Sequence, residues 1–215
     1  MDCPLCQSPL TNAIDGLYWQ CGQCKGRVLD QEAYLSRTQE YEHYAKHEND
    51  IHDPAYRDFV APCTSFVKAH IPKDRKGLDY GAGPGPVISA VLQEAGYSMV
   101  EYDPFFNPND QVLEDSYDFV VCSEVAEHFH DVRGEFERLC QRVLPASEME
   151  DGRGYVLIMT RLWSQEIDFE HWHYRRDPTH VFIYHRDTMQ WIAHWLDLEL
   201  VSCESQFTVL RRWKD

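Results

Sequence analysis

The stretch Asp79-Tyr-Gly-Ala-Gly-Pro-Gly85 decides the fold of this chain. It follows a short apolar segment that predicts a strand, and it precedes apolar residues at helical spacing over residues 87–95. In open α/β sheets a glycine-rich turn at this position lies against the ligand, because glycine lets the backbone approach closely. The spacing is GxGxG, no Lys-Ser or Lys-Thr follows, and Pro84 and Pro86 lack amide protons. Pyrophosphate is therefore a poor candidate for the ligand.

Beyond residue 76, short apolar segments alternate with amphipathic ones, which is typical of βαβ units. We predict strands at residues 78–80, 98–102, 117–122 and 154–160, and a terminal hairpin from residues 198–203 and 207–213. The predicted fold class is α/β, with a Rossmann-like, doubly wound, mostly parallel sheet that ends in an antiparallel hairpin.

Asp103 closes the second predicted strand, about 20 residues after the glycine-rich turn. A carboxylate at that position accepts hydrogen bonds from both hydroxyls of a ribose, although a solvated acid at a strand end is the alternative interpretation. A site that binds a ribose, requires no phosphate and places Asp79 near an amino-acid moiety points to S-adenosylmethionine as the ligand.

Three segments resemble the first, second and fourth strand motifs of the class I S-adenosylmethionine-dependent methyltransferases. They are Leu78-Asp-Tyr-Gly-Ala-Gly-Pro-Gly85, Glu101-Tyr-Asp103 and Tyr117-Asp-Phe-Val-Val-Cys-Ser-Glu-Val-Ala-Glu-His128. The resemblance covers about residues 40–215 and implies methyl transfer from S-adenosylmethionine. The family pattern is broken twice, because residues 107–116 leave little room for a third strand, and Leu144-Pro-Ala-Ser with an acidic insertion replaces the usual Lys-Pro-Gly-Gly turn.

The resemblance also implies a set of residues that surrounds the cofactor. The glycine turn contacts the methionine portion, the strand-end acid binds the ribose, its two followers flank the adenine, and two residues after the fourth strand lie beside the cofactor. In chain order the set is Asp79, Gly81, Ala82, Gly83, Asp103, Pro104, Phe105, Ser123 and Glu124. Tyr44 is a further candidate, with Tyr41 and His47, since an aromatic face favours a sulfonium cation. Simple packing is the alternative for these three.

Two CxxC pairs lie near the N-terminus, Cys3-Pro-Leu-Cys6 and Cys21-Gly-Gln-Cys24. Their spacing is close to that of four-thiolate zinc sites, in which two turns bring four sulfurs to one tetrahedral ion. Residues 1–30 are too few to fold around a core of their own. We predict that Cys3, Cys6, Cys21 and Cys24 bind structural zinc in a small zinc ribbon. Reduced structural thiols or a redox pair are the alternatives.

The sequence predicts three parts: a zinc ribbon at residues 1–30, a helical lid or linker at 31–76, and a methyltransferase domain at 77–215. The formal net charge is −16, from 20 Lys and Arg against 36 Asp and Glu, which disfavours nucleic acids and anionic membranes as partners. No apolar run is long enough for a bilayer and the start shows no secretory signal, so we expect a cytoplasmic protein. Its oligomeric state stays open.

The segment His171-Trp-His-Tyr-Arg-Arg-Asp-Pro-Thr-His180 follows a predicted strand whose carboxyl end should face the cofactor. We predict that this 171–180 segment covers the acceptor. Its proposed substrate-binding residues are Trp172, Tyr174, Arg175 and Arg176, with an arginine binding an acidic group. The candidate general bases are His128, His173 and His180.

A plain loop of satisfied polar groups is the alternative for the 171–180 segment. A second metal site among His128, His130, His171 and His173 is conceivable, but their spacing fits no defined motif.

The leading hypothesis is a methyltransferase that acts on a small molecule or a protein side chain. A donor-binding adaptor without turnover is the alternative from another class. An RNA methyltransferase guided by the zinc ribbon is a third hypothesis, against which the negative charge weighs. The acceptor is not identified, because proteins that share this fold share the donor site and differ in the lid.

Overall fold

The computed structural model describes residues 1–46, 49–143 and 154–212 of the chain. Four sequence predictions concern positions outside the described residues: the role of His47, the turn at residues 144–147, the acidic insertion after it, and the hairpin end at Trp213.

The N-terminal residues form an antiparallel ribbon around the four cysteines. Its strands are β1 (Asn12–Ala13), β2 (Tyr18–Gln20) and β3 (Arg27–Leu29). The side chain of Asp15 accepts hydrogen bonds from the amides of Leu17 and Tyr18, and Gly16 has a φ of +77°. The Asp15-Gly16 pair therefore makes the turn between β1 and β2.

The described residues between 31 and 76 include the helices α1 (Arg37–Tyr44), α2 (Pro54–Phe59) and α3 (Ala61–His70). Ser36 and Gln39 form a capping box at the start of α1, and the side chain of Asp53 caps α2. Cys63 and Val67 of α3 are fully buried beneath the central sheet. The segment predicted as a lid or linker thus contains one helix, α3, that belongs to the core.

The central sheet has six strands in the order β5-β4-β6-β7-β10-β9. Strands β4 to β7 are parallel, and β9 and β10 form an antiparallel hairpin beside β7. The elements from here on are β4 (Lys76–Tyr80), α4 (Val87–Glu94), β5 (Ser98–Tyr102), β6 (Phe119–Ser123), α5 (Val132–Arg142), β7 (Gly154–Met159), β8 (Phe182–Ile183), α6 (Arg186–Trp195), β9 (Leu198–Cys203) and β10 (Phe207–Arg212).

Helices cover both faces of this sheet. Val120 and Ile158 belong to a core shared with α5 and α6, whereas Val121 and Leu157 belong to a core shared with α3 and α4. This alternation follows from the two-residue period of strands and explains why the strands are apolar throughout. The doubly wound α/β fold with a C-terminal antiparallel hairpin is confirmed.

Within the described residues, β5 forms one edge of the central sheet. Between β5 and β6, the described chain makes a bridge from Asp103 to Asn107 and a 3-10 turn at Asp110–Leu113, and no strand. The prediction of an abbreviated or absent third strand is correct, because this connection is too short for a further βα unit.

The ribbon shares a sheet with the rest of the chain. Strand β3 pairs in antiparallel fashion with β8, in register Arg27 to Ile183 and Val28 to Phe182. The Trp163 indole donates a hydrogen bond to the Lys25 carbonyl (3.0 Å). The residues predicted as a separate N-terminal part are therefore joined to the rest of the chain through β8.

Gly26 tests this contact. A Cβ at Gly26 would overlap the ring of Phe182, which is fully buried, whereas a Cβ at Gly22 would meet nothing within 4 Å. We expect Gly26→Ala to lower the free energy of unfolding by about 1–3 kcal/mol, because a packed ring cannot yield without strain. The matched variant Gly22→Ala should stay within ~0.5 kcal/mol of the wild type. Denaturant titration measures both, and equal stabilities would contradict the β3–β8 packing.

Candidate active site

A cavity of about 830 Å³ opens at the carboxyl ends of β4, β5 and β6. Its lining includes the glycine loop after β4, the turn after β5 and the residues after β6, as expected for an open α/β sheet. Its volume lies in the range of small-molecule sites. All ten predicted cofactor-binding residues line it: Tyr44, Asp79, Gly81, Ala82, Gly83, Asp103, Pro104, Phe105, Ser123 and Glu124.

A positive φ angle at one position and close contacts at two explain why glycine occupies these positions of the loop. Gly81 has a φ of +82°, and a Cβ there would overlap the side chain of Val125. A Cβ at Gly85 would overlap the backbone oxygen of Asn49. The loop is thus packed between the residues after β6 and the segment before α2, which only glycine permits.

Asp103 connects the glycine loop to the next turn. Its Oδ2 accepts a hydrogen bond from the Gly83 amide (2.9 Å), and its Oδ1 accepts from the amides of Phe105 (2.8 Å) and Phe106 (2.9 Å). The residue is 6% exposed, so the alternative of a solvated strand-end acid is wrong. The carboxylate lies in the cavity wall with its orientation fixed on both sides.

Asp79 is turned towards α4. Its Oδ2 accepts hydrogen bonds from the Ser89 hydroxyl (3.0 Å) and amide (3.3 Å). Burial raises the pKa of Asp79 to about 7, because the bonds from Ser89 offset only part of the cost of desolvating the charge. Asp79 therefore fixes the loop against α4, and its protonation changes near neutral pH.

A cluster of acids and imidazoles follows β6. Glu124 has a φ of +51°, and its pKa is raised to about 9 by burial and by the neighbouring charge of Glu127. Glu127 is fully buried and accepts a hydrogen bond from the Tyr174 hydroxyl. Sequence reasoning did not assign a role to Glu127, although it lies within the motif that ends at His128.

The rings of His128 and His180 are in edge-to-face contact, with their centroids 4.8 Å apart. The Nδ1 of His128 lies 3.0 Å from the Thr179 carbonyl, and the Nδ1 of His180 lies 2.6 Å from the Tyr174 carbonyl. Because a carbonyl only accepts, each Nδ1 carries the proton in these bonds, which leaves the Nε2 lone pair of a neutral ring available. Burial lowers the pKa of His180 and so favours its neutral form.

Some of the other residues in the 171–180 segment line the cavity, and others pack outside it. His173 and Tyr174 line the cavity. Arg175, predicted to bind substrate, instead pairs with Asp15 of the ribbon and lies over the Tyr18 ring. Trp172 packs against the Tyr174 ring, and Arg176 is exposed; neither belongs to the cavity lining. The sequence could not reveal the Arg175 partner, which lies 160 residues away.

The lining also includes residues to which the sequence analysis gave no role, among them Arg161 and Asn49. Arg161 comes just after β7, and Asn49 precedes α2. The position of Arg161 at the carboxyl end of a parallel strand is a usable signal for a site residue. Asn49 has no such signal, because its place depends on how the segment before α2 folds back over the loop.

The four N-terminal cysteines converge at one point. The Sγ atoms of Cys3 and Cys24 are 3.7 Å apart, those of Cys6 and Cys21 are 3.3 Å apart, and all four lie within 4.8 Å of one another. A tetrahedral zinc ion with Zn–S bonds of about 2.3 Å requires sulfurs roughly 3.8 Å apart. The arrangement therefore fits a four-thiolate zinc site.

A protein-family model described as "Methyltransferase domain" matches residues 43–203, and the chain belongs to this family. The match and the fold confirm that it is an enzyme of the S-adenosylmethionine-dependent methyltransferase class. No curated protein sequence matches the chain significantly. Among the described helices, none combines the length and apolarity needed to cross a bilayer.

Solved structures share the fold at low sequence identity. The 1,6-didemethyltoxoflavin-N1-methyltransferase of Burkholderia thailandensis, with bound 1,6-didemethyltoxoflavin and S-adenosylhomocysteine, is 16% identical over 91% of this chain and 99% of that chain, with a TM-score of 0.54. Magnesium protoporphyrin IX methyltransferase (ChlM) from Synechocystis PCC 6803, with bound S-adenosylhomocysteine, is 12% identical over 86% and 97%, with a TM-score of 0.50. The pyocyanin biosynthetic protein PhzM is 13% identical over 80% and 61%, with a TM-score of 0.51.

The raised pKa of Asp79 gives the ligand-free protein a pH-dependent stability. The unfolded carboxyl ionises near its usual pKa, whereas the folded one holds its proton up to about pH 7, so stability falls as the pH rises between these values. Between pH 5 and 8 the free energy of unfolding of the wild type should fall by about 2–3 kcal/mol relative to that of Asp79→Asn. Urea titrations of both proteins at the two pH values measure this difference. Parallel pH profiles would contradict the buried, protonated state of Asp79.

Proposed function

We propose that the protein transfers a methyl group from S-adenosylmethionine to a small molecule bound in the cavity beneath the 171–180 segment. The observation that carries this proposal is one cavity that joins the glycine loop and Asp103 to the imidazoles of His128 and His180. The fold relatives from Burkholderia and Synechocystis, which were solved with S-adenosylhomocysteine, support the choice of donor.

The donor side is assigned to the ten predicted cofactor-binding residues. Gly81, Ala82 and Gly83 contact the methionine portion, the Asp103 carboxylate accepts from the ribose, and Phe105 flanks the adenine with Pro104. Two observations support this orientation. Asp103 is buried with both oxygens positioned by backbone amides, and Tyr44 contacts the Phe105 ring with centroids 5.4 Å apart.

The acceptor side is assigned to the imidazoles near Tyr44. The Tyr44 ring also contacts His128, with centroids 5.3 Å apart, so one side chain touches both the adenine-flanking Phe105 and the imidazole pair. The donor supplies an electrophilic methyl group on a sulfonium. The residues align the acceptor with it, exclude water, and take up the proton of a hydroxyl or amine acceptor at an Nε2 of His128, His173 or His180.

A small acceptor is favoured by the walls of the cavity. The 171–180 segment, α1 and the turn after β5 surround the space, and Arg37 of α1 donates a hydrogen bond to the Pro104 carbonyl (3.0 Å) across it. The relatives from Burkholderia and Synechocystis are also methyltransferases of small molecules.

Asp103→Asn tests the donor assignment. Asparagine keeps one acceptor oxygen but replaces the other with a donor NH2 group and loses the charge. A hydrogen bond to a charged group contributes roughly 1.5–3 kcal/mol, so we expect S-adenosylhomocysteine to bind about 10- to 100-fold more weakly. Glu114→Gln, an exposed acid of the same connection, should keep the wild-type affinity. Calorimetric titration compares the three proteins, and unchanged affinity in Asp103→Asn would refute the ribose site.

We propose further that the four cysteines hold a structural zinc ion whose loss reaches the active site. The ribbon contacts the 171–180 segment at several points besides β8: the Tyr18 hydroxyl donates to the His180 carbonyl (2.8 Å), and Arg175 pairs with Asp15. Next to β8, the Leu29 amide donates to the Val181 carbonyl (2.9 Å). A ribbon that unfolds without its ion would release all of these bonds.

Cys24→Ser tests this role of the ribbon. We expect loss of the bound zinc and at least tenfold faster amide exchange over residues 180–183, because their partners on the ribbon are no longer held. Cys203→Ser is the matched control, since a serine hydroxyl can replace the thiol that accepts from Thr208 (3.5 Å). Mass-spectrometric hydrogen exchange and elemental analysis give both readouts. Unchanged amide exchange in a zinc-free variant would mean that the ribbon does not influence the active site.

A further inference from the structure

We propose that Glu127, His128 and His180 form a second metal site, which binds a divalent transition-metal ion at the acceptor side of the cavity. The inference rests on the proposed function only for the statement that this side of the cavity holds the acceptor. The residue set differs from the histidine cluster that the sequence made conceivable, because only His128 is common to both.

The three side chains offer one ligand atom each, and these atoms lie within 4.8 Å of one another. Glu127 and His128 belong to the same 3-10 turn after β6, whereas His180 precedes β8. The Val181 amide donates to the Glu127 carbonyl (2.9 Å) and holds the two segments together. The geometry is therefore set by the backbone and needs only small side-chain movements to close on an ion.

The surrounding hydrogen bonds are those of a metal site. Metal-ligating histidines usually donate their second ring N–H to a carbonyl or carboxylate, which fixes the ring and the tautomer. His128 and His180 both do so, towards the carbonyls of Thr179 and Tyr174. The Tyr174 hydroxyl, in turn, donates to Oε1 of Glu127. All three side chains are thus oriented by a partner before an ion arrives.

An unpartnered buried oxygen is the independent observation. Glu127 is 0% exposed, and its Oε2 has no hydrogen-bond partner among the described residues. The Nε2 of His180 lies 4.0 Å from Oε1, too far for a hydrogen bond. A buried carboxylate oxygen without a partner is costly, and a cation bound between Glu127 and the two imidazoles would remove this cost.

The ligand set determines the kind of ion. Imidazole nitrogen with one carboxylate suits zinc, iron(II), cobalt, nickel and manganese, and three protein ligands leave positions open for water or substrate. The four-thiolate ribbon selects zinc, so two sites of different chemistry exist in one chain. A divalent ion bound by two neutral imidazoles and one carboxylate keeps one net positive charge. Glu124 lies next to this site.

The open positions can hold the hydroxyl oxygen of a small-molecule acceptor. Coordination lowers the pKa of the hydroxyl, whose proton passes to His173. The oxygen then forms a bond to the methyl carbon as the carbon–sulfur bond breaks, and the sulfonium leaves as a neutral thioether. His128 and His180 serve as ligands in this scheme, and His173 remains the predicted base.

Manganese(II) is the probe that distinguishes this site from the ribbon, because thiolate sites prefer softer ions. We expect the zinc-loaded wild type to bind one equivalent of Mn²⁺, seen as loss of the free-ion signal in electron paramagnetic resonance. Glu127→Gln and His128→Asn should each weaken this binding at least 10-fold. His171→Asn, which changes an exposed histidine paired with Asp168, should bind Mn²⁺ like the wild type.

Titration with S-adenosylhomocysteine on the same samples separates the two proposals. Donor binding without Mn²⁺ binding, or equal Mn²⁺ affinity in all variants, would overturn the metal site and leave the methyltransferase proposal intact. Mn²⁺ binding that depends on Glu127 and His128, without donor binding, would support the metal site and count against the donor assignment. Because Glu127 is buried, the half-buried His128 supplies the variant that keeps the test valid if Glu127→Gln does not fold.

Discussion

The antiparallel pairing of β3 with β8 is the interaction on which the active site depends. Val181, just before β8, accepts a hydrogen bond from Leu29 of the ribbon at its carbonyl and donates one to the Glu127 carbonyl from its amide. One residue thus connects the ribbon to the turn that carries Glu127 and His128. Each partner alone is too short to be stable, since a three-residue strand and a two-residue strand gain little from local propensity.

This pairing gives a short N-terminal segment direct contact with the residues that carry His180. The ribbon has few residues to bury, so four sulfurs on one ion would supply the stability that a larger core supplies in ordinary domains. Tyr18, Leu29, Trp163 and Ile183 form a small buried cluster between the ribbon and the segment that leads to β8. His180 is therefore positioned from two sides, by the ribbon and by the sheet, and a change in either alters where its Nε2 points.

The sequence predicted best what depends on local pattern. The bounds of β5 and β9 match the predicted segments. The glycine loop was identified from its glycines, the missing third strand from the short connection, and Asp103 from its place at a strand end. Each of these features constrains the backbone locally. Glu127 was overlooked and Arg175 was placed against the substrate for the opposite reason. Their surroundings come from residues far along the chain, Tyr174 and Asp15, and no periodicity encodes a contact between the ribbon and the 171–180 segment.

The distribution of charge in the cavity relates these features to the reaction. Asp79, Asp103 and Glu124 line one cavity, whose described lining also includes Arg37, Arg138 and Arg161. Burial holds the pKa of Asp79 and Glu124 high, so these carboxyls gain from a nearby cation. A sulfonium donor supplies such a cation before transfer, and its neutral thioether product does not. The same carboxyls therefore favour binding of the charged donor over retention of the product, while an anionic acceptor would need a second cation beside it.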